Sequence, residues 1–314
     1  MSGMMLNFVG VSAATVPGAP IIGTATATAY NTATVSYTAP ASDGGSAITG
    51  YTATSSPGGI TGTLSQAGSG TITVSGLSGS TSYTFTVTAN NSVGSSSASS
   101  ASNSITTPVA PPTVIGQAYG GGFYAGKIAV SGSGVATHYL IVAPKSTGEN
   151  SSRSWGTYGV TTGQTSVING PTNSAIEAAL GAGYQAAKFC EDLSIGSYSD
   201  WYLPAKNELE VLYYFLKPTT ESNDTSSGSN ANAVSPEPVS QNHTSGSPAR
   251  TSATGTTGFR DGEANAFAWS GVSYWSSTEN AAGSAWNQAF SSGSQGTGGK
   301  TGSRYVRAVR RIPV

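Results

Sequence analysis

Short alternations of apolar and polar residues fill the first third of the chain. Thr34-Val35-Ser36-Tyr37-Thr38 alternates and stops before Pro40, Asp43-Gly44-Gly45 makes a turn, and Ile48-Thr49-Gly50-Tyr51-Thr52 opens the next run. Thr71-Ile72-Thr73-Val74 leads through Leu77 and a Gly-Ser turn into residues 81–89, where Tyr83, Phe85 and Val87 share one face with period 2. Strands this short and this regularly spaced predict a β-sandwich with those three side chains in its core. A Ser-rich stretch over 95–112 ends in Thr107-Pro108-Val109-Ala110-Pro111-Pro112 and reads as an extended linker, the domain boundary.

The pattern then changes. Residues 120–128 and 137–144 read as two strands. Over 174–193 the residues Ile176, Leu180, Ala187, Cys190 and Leu193 recur at helical spacing, with Glu177, Lys188, Glu191 and Asp192 mostly outside that stripe, so one helix is predicted with Cys190 as a packed thiol. Pro204 opens a second helix whose stripe is Leu209, Leu212, Tyr213 and Leu216, broadened by Tyr214 and Phe215 and ended by Pro218. Residues 219–257 are rich in Ser, Thr, Asn, Gly and Pro and form a long loop that carries Asn242, His243 and Arg250. Tyr274-Trp275-Ser276-Ser277-Thr278-Glu279, Ala285-Trp286-Asn287-Gln288-Ala289-Phe290 and the closing Arg-bearing strand Tyr305 to Arg311 resemble a rigid aromatic floor under irregular loops.

Composition supports two folded domains. The chain has 314 residues, of which 9% are charged and 9% aromatic, with 42 Gly, which favours turn-rich β structure over helices. A net charge of −1 without long runs of one sign gives no footprint for nucleic acid. Charge is unevenly spread: Asp43 is the only charged residue before Lys127, whereas residues 281–314 hold Lys300, Arg304, Arg307, Arg310 and Arg311 and no acid, so partners for these cations are expected elsewhere in the second domain. One cysteine excludes an internal disulfide framework, and no run approaches the ~20 apolar residues of a membrane span. Residues 1–16, with Met4, Met5, Leu6, Phe8 and Val9, read as an attachment arm without the basic segment of a signal peptide.

Residues 17–108 resemble a fibronectin type III domain in the run from Pro40 to Tyr51, in the Leu77 to Tyr83 segment that looks like that fold's tyrosine corner, and in Ala89-Asn90-Asn91-Ser92-Val93-Gly94. Tyr37 stands where that family usually has Trp. The Arg-Gly-Asp tripeptide is absent, which leaves the domain as a spacer, followed by a linker over 109–122.

Asp200-Trp201-Tyr202-Leu203-Pro204 with Asn207-Glu208-Leu209, the Tyr-Trp-Ser-Ser-Thr-Glu run, Ala285-Trp286 and Val306-Arg307-Ala308-Val309-Arg310 together resemble the domain found at the C-terminus of a collagen-like bacterial adhesin. That family is related in fold to C-type lectins and formylglycine-generating enzymes, and the tail pattern is similar to the variable proteins of diversity-generating retroelements, phage tropism determinants among them. The resemblance implies a mixed α/β, C-type-lectin-like domain over 123–314 that binds ligand through loops near its end. It implies exposed contact residues at Arg260, Asn265, Glu279, Asn280, Asn287 and Gln288, with Trp275, Trp286 and Phe290 as scaffold. If the aromatic side of 285–290 is core, Gln288 is the weaker of these.

Catalysis is thinly supplied. Only His138 and His243 could serve a nucleophile as base, one cysteine does not make the paired thiols of the formylglycine-generating relatives, and Glu208 and Glu210 point to different faces of one helix. No enzyme is expected. No cofactor is expected either: calcium needs several carboxylate and carbonyl oxygens, the carboxylates are scattered, the lectin triplet Trp-Asn-Asp is absent, and an ion near Asp261 or Glu263 is unsupported. These readings converge on a phage virion surface protein, made in the host cytoplasm and resembling a tail fibre or spike. Its N-terminal region would join other virion proteins and its C-terminal domain would bind host carbohydrate or receptor, as a homotrimer with no membrane insertion. A structural capsid decoration protein with weak adhesion and a bacterial surface adhesin are the alternatives.

Overall fold

A computed structural model describes residues 13–130, 135–218 and 258–314, together with the backbone of Ala233–Val234. Most of the N-terminal arm, and the Asn242, His243 and Arg250 of the long loop, lie outside the described residues. The chain divides into two compact units, Met1–Pro111 and Pro112–Val314.

The first unit contains β1 (Ile21–Ala29), β2 (Thr32–Thr38), β3 (Gly50–Ser56), β4 (Thr61–Leu64), β5 (Gly70–Ser75), β6 (Ser82–Asn90) and β7 (Ile105–Thr106). They form a three-stranded sheet ordered β1-β2-β5 and a four-stranded sheet ordered β4-β3-β6-β7, a β-sandwich. The period-2 residues meet between the sheets: Ala33, Val35 and Tyr37 of β2 and Tyr83, Phe85, Val87 and Ala89 of β6 are all buried. The Tyr83 hydroxyl accepts the Ser78 backbone N–H at 3.0 Å, the hydrogen bond expected of a tyrosine corner. Gly44 has φ +77°, and a Cβ there would stand 2.2 Å from the Thr15 carbonyl oxygen, so the turn requires glycine.

The Ser-rich stretch after β6 is not a free linker. Ser96, Ser99 and Ser102 donate backbone N–H groups to the carbonyls of Ala89, Val87 and Phe85 at 2.8–2.9 Å. Their hydroxyls accept the N–H groups of the same three residues at 2.9–3.0 Å. A serine at every third position thus pairs with every second residue of β6 and satisfies an edge that would otherwise be open.

The second unit contains β8 (Ala118–Tyr119), β9 (Gly122–Ile128), β10 (His138–Val142), α1 (Lys145–Gly148), β11 (Glu149–Ser154), α2 (Gly170–Ala179), α3 (Gln185–Glu191), α4 (Lys206–Leu216), β12 (Ala233–Val234), β13 (Ser273–Ala281), β14 (Ser284–Ala289), β15 (Gln295–Gly299), β16 (Ser303–Arg307) and β17 (Val309–Pro313). It is β-rich with few and short helices. One sheet runs β12-β9-β10-β17, with β8 beside β9, and the other runs β11-β16-β13-β14-β15. Only Ala308 separates β16 in one sheet from β17 in the other. Its N–H donates to Gly148 O and its carbonyl accepts from Ala143 N, both at 2.9 Å, so the closing segment ties the sheets together.

Helix α4 is buried from Glu208 to Leu216, including Tyr214 and Phe215. Glu208 accepts the Ala205 backbone N–H at 2.8 Å and so satisfies one free donor at the helix start. The single helix expected over 174–193 is two helices, α2 and α3, because Gly181 takes φ +95° and breaks the ladder. The break resets the helical phase: Ile176 and Leu180 are exposed, and Glu177, expected outside, is fully buried. Cys190 is packed as expected, and its burial pushes the thiol up. Among the described residues no helix is long and apolar enough to cross a membrane.

Candidate functional site

Four of the five cations in residues 281–314 have carboxylate partners. Arg307 meets Glu149 at 2.9 Å, Arg310 meets Asp200 at 2.8 Å, Arg311 meets Glu208 at 2.7 Å, and Lys300 meets Glu279. Arg304 instead donates to Ser273 at 2.8 Å and lies 4.8 Å over the Trp275 ring. Arg307 and Lys300 are fully buried, and breaking such a pair leaves an uncompensated charge in the core, at a cost of about 3–5 kcal/mol.

The Lys300–Glu279 pair organises a loop. Glu279, near the end of β13, accepts the backbone N–H groups of Thr162 at 2.9 Å and Gly163 at 2.8 Å. Its own N–H donates to Gln164 O at 2.8 Å. The Lys300 ammonium donates to Val160 O at 2.6 Å and lies 4.7 Å over the Trp155 ring, whose indole N–H donates to Ser276 O at 2.7 Å. Thr278 donates to Ser166 O at 2.9 Å one turn of loop further on. Residues 157–166 are therefore fastened to β13 at several points.

Burial pushes the Glu279 carboxyl up, but the Lys300 ammonium and the Thr162 and Gly163 amides outweigh it and hold the group below the usual carboxylate range. It is an anion at neutral pH. Together the carboxylate and the Lys300 ammonium hold the loop from inside the protein, one by accepting its amides and the other by donating to its carbonyl.

What the pinned loop presents is Tyr158, 71% exposed, with Val160, also exposed, two positions on. A Cβ on Gly283 would come within 2.8 Å of the Tyr158 ring, so the ring rests on the bare backbone of the β13–β14 turn. At the end of β13, just before that turn, Asn280 is exposed and donates across it to Ser284 Oγ at 2.9 Å. An open aromatic face, an amide and a hydroxyl on a fixed backbone form a surface suited to a neutral polar ligand with apolar patches.

The expected contact residues fare differently. Asn280 is at this surface. Arg260 is exposed, but on the loop over 258–266 that is fastened elsewhere: Asn265 Oδ1 accepts the Lys145 N–H at 3.1 Å, which makes Asn265 a half-buried brace. Glu279, Asn287 and Gln288 were expected to be exposed and are buried, at 3%, 8% and 1%. Glu279 turns inward to its cation. Both faces of β14 are covered, so Asn287 and Gln288 lie inside, with Gln288 donating to Glu210 and Gly293 O at 3.1 Å.

Of the expected scaffold, Trp275 and Phe290 are fully buried, whereas Trp286 is half-buried with the Lys206 ammonium 3.7 Å over its ring. Tyr158 was missed; its only sequence signal is an aromatic in the polar run between Trp155 and the first helix. His138 opens the interior strand β10, between Ile128 and Pro313, and is bonded to Thr137; burial and then Arg311 hold its pKa down. Among the described residues no group of three or more His, Cys, Asp or Glu is placed to hold a metal ion.

No curated protein matches the chain. Solved structures that share a segment with it include a crystal structure of titin domains (34% identity, 30% of this chain and 33% of that one, TM-score 0.27) and titin kinase with its flanking domains (34%, 29% and 17%, 0.25). The twitchin kinase region from C. elegans is similar at 25% identity over 30% of this chain and 17% of that one, with TM-score 0.26. The chain spans 33% or less of the length of each of these proteins. A family model described as the fibronectin type III domain matches residues 18–105, the β-sandwich with its serine-paired edge. A second, described as the Lcl C-terminal domain, matches residues 149–310, which hold the pinned loop, the aromatic core and the paired cations; just over half of the chain is covered, and the chain belongs to the Lcl C-terminal domain family.

Proposed function

We propose that this is an attachment protein whose Lcl C-terminal domain binds carbohydrate on a cell surface through Tyr158 and the Asn280–Ser284 turn. One observation carries the reading: a largely exposed tyrosine ring is held on a loop pinned by a buried ion pair, beside an exposed amide. Flexible loops pay ordering costs on binding, and a loop fixed beforehand avoids them. The order of a fibronectin type III domain and an Lcl C-terminal domain fits an adhesion role, with the first as spacer.

Our setting for it is a phage particle, in keeping with the likeness of the closing segment to tropism proteins, and its second domain is read as C-type-lectin-like. Several copies on one particle, a trimer in our reading, would raise the avidity of weak single sites by about 10²–10⁴-fold. The family match also favours a second reading, a bacterial surface adhesin. Labelled antibody separates the settings: tail tips for a receptor-binding protein, the head shell for a decoration protein, the cell envelope for an adhesin.

The site itself is tested by Tyr158→Ala in the whole chain. Binding to host cells should fall at least tenfold while the near-ultraviolet circular dichroism stays that of the parent. Unchanged binding would sink the assignment.

A further inference from the structure

Glu177 on α2 is fully buried, and among the described residues neither of its carboxyl oxygens has a hydrogen-bond partner. Such an orphan is rare and costly in a folded protein, more so for a charge. Its surroundings explain how it is tolerated. The groups close enough to act on it electrostatically are Glu279 from β13, the Lys300 ammonium, Glu191 from α3 and the Tyr184 hydroxyl at the start of that helix. Lys300 and Glu279 are themselves buried and cancel each other. Glu191 is only half-buried, so solvent reaches its charge; among the three buried groups Glu177, Glu279 and Lys300, a second carboxylate beside the pair would leave one uncompensated negative charge in the core, and these three are neutral only with one proton on a carboxyl group. Glu279, with an ammonium and two amides on its oxygens, is the poor host; Glu177, with nothing on its oxygens, is the good one.

We infer that Glu177 carries a proton at neutral pH, and that this proton keeps Lys300 committed to Glu279 and so holds the 157–164 loop in place. Glu177 is thus a positioning residue that acts through the ion pair. Burial, then the neighbouring Glu279, push its carboxyl well above the usual carboxylate range, which accords with the charge count. When Glu177 loses its proton at alkaline pH, two carboxylates compete for one ammonium, and the contacts from Lys300 to Val160 and from Glu279 to Thr162 and Gly163 loosen. The inference concerns the loop whatever the loop binds, so it can fail while the binding assignment stands.

The test uses the full chain labelled with ¹³C at the glutamate carboxyl carbons, together with amide hydrogen exchange over 157–164 corrected for intrinsic rates. At pH 7 the parent should show a carboxyl carbon at the protonated position that disappears in Glu177→Gln. Loop protection in the parent should fall at least tenfold as pH rises above neutral, before the tryptophan signal reports unfolding. In Glu177→Gln, a neutral isostere, protection should stay flat. The inference is overturned if every glutamate is ionised at pH 7 in the parent, if the protonated signal survives in Glu177→Gln, or if the variant loses loop protection with the parent's pH profile. The carbon signal of the parent needs no variant to fold.

Discussion

Removing one partner of the Lys300–Glu279 pair leaves the other charge buried, whereas removing the exposed Tyr158 ring exposes nothing new. Glu279→Gln and Lys300→Met should each cost the second unit about 3–5 kcal/mol, read by urea unfolding. Tyr158→Ala should change stability by no more than about 0.5 kcal/mol. All five tryptophans lie in the second unit, at 155, 201, 269, 275 and 286, so their fluorescence reports that unit's transition alone. The pH dependence has a definite sign. Glu279 has a folded pKa below its ordinary 4.5, so its contribution is fully present above 4.5 and is lost as pH falls through the folded value. The thermal midpoint of the tryptophan transition should drop in acid in the parent, and Glu279→Gln should lack that part of the drop. The inward turn of Glu279 was hidden in the sequence because its partner, Lys300, is 21 positions away and the loop it holds is more than a hundred residues upstream.

Elements built on strict periodicity were the most legible. Period 2 located the faces of β2 and β6, and the apolar stripe of α4, broadened by Tyr214 and Phe215, matches its burial from Glu208 onward. Two elements misled for physical reasons. The stripe over 174–193 counted straight through Gly181, where a left-handed residue ends one helix and shifts the phase of the next. The serines after β6 look like linker composition, yet their hydroxyls and amides complete a strand edge. Because Ser96 is buried and both its N–H and its hydroxyl are engaged, Ser96→Ala should destabilise the first unit by about 0.5–1.5 kcal/mol; the change can be followed by far-ultraviolet circular dichroism with the tryptophan transition unmoved. An unchanged first-unit transition would mean that the serine ladder contributes nothing to that edge.

At the scale of the whole molecule, the two units carry different work: a sandwich with a satisfied edge, and a β-rich domain whose closing strand joins two sheets and brings its cations to distant carboxylates. The uneven charge of the sequence pointed to that pairing without saying which residues meet, since three of the four pairs span more than a hundred residues. Internal cation and anion also bear on ligand chemistry. The pinned loop takes its order from Lys300, so a chelator should leave cell binding by the full chain unchanged, measured with and without EDTA; loss of binding would assign the ordering to a metal ion instead. The most direct measurement is binding of the purified full chain to host cells, compared with Tyr158→Ala, with Arg260→Ala on a separate exposed loop as control. The account predicts saturable binding that blocks particle adsorption, at least a tenfold loss in Tyr158→Ala and no loss in Arg260→Ala. Equal binding by parent and Tyr158→Ala, or no binding by the parent, would contradict it.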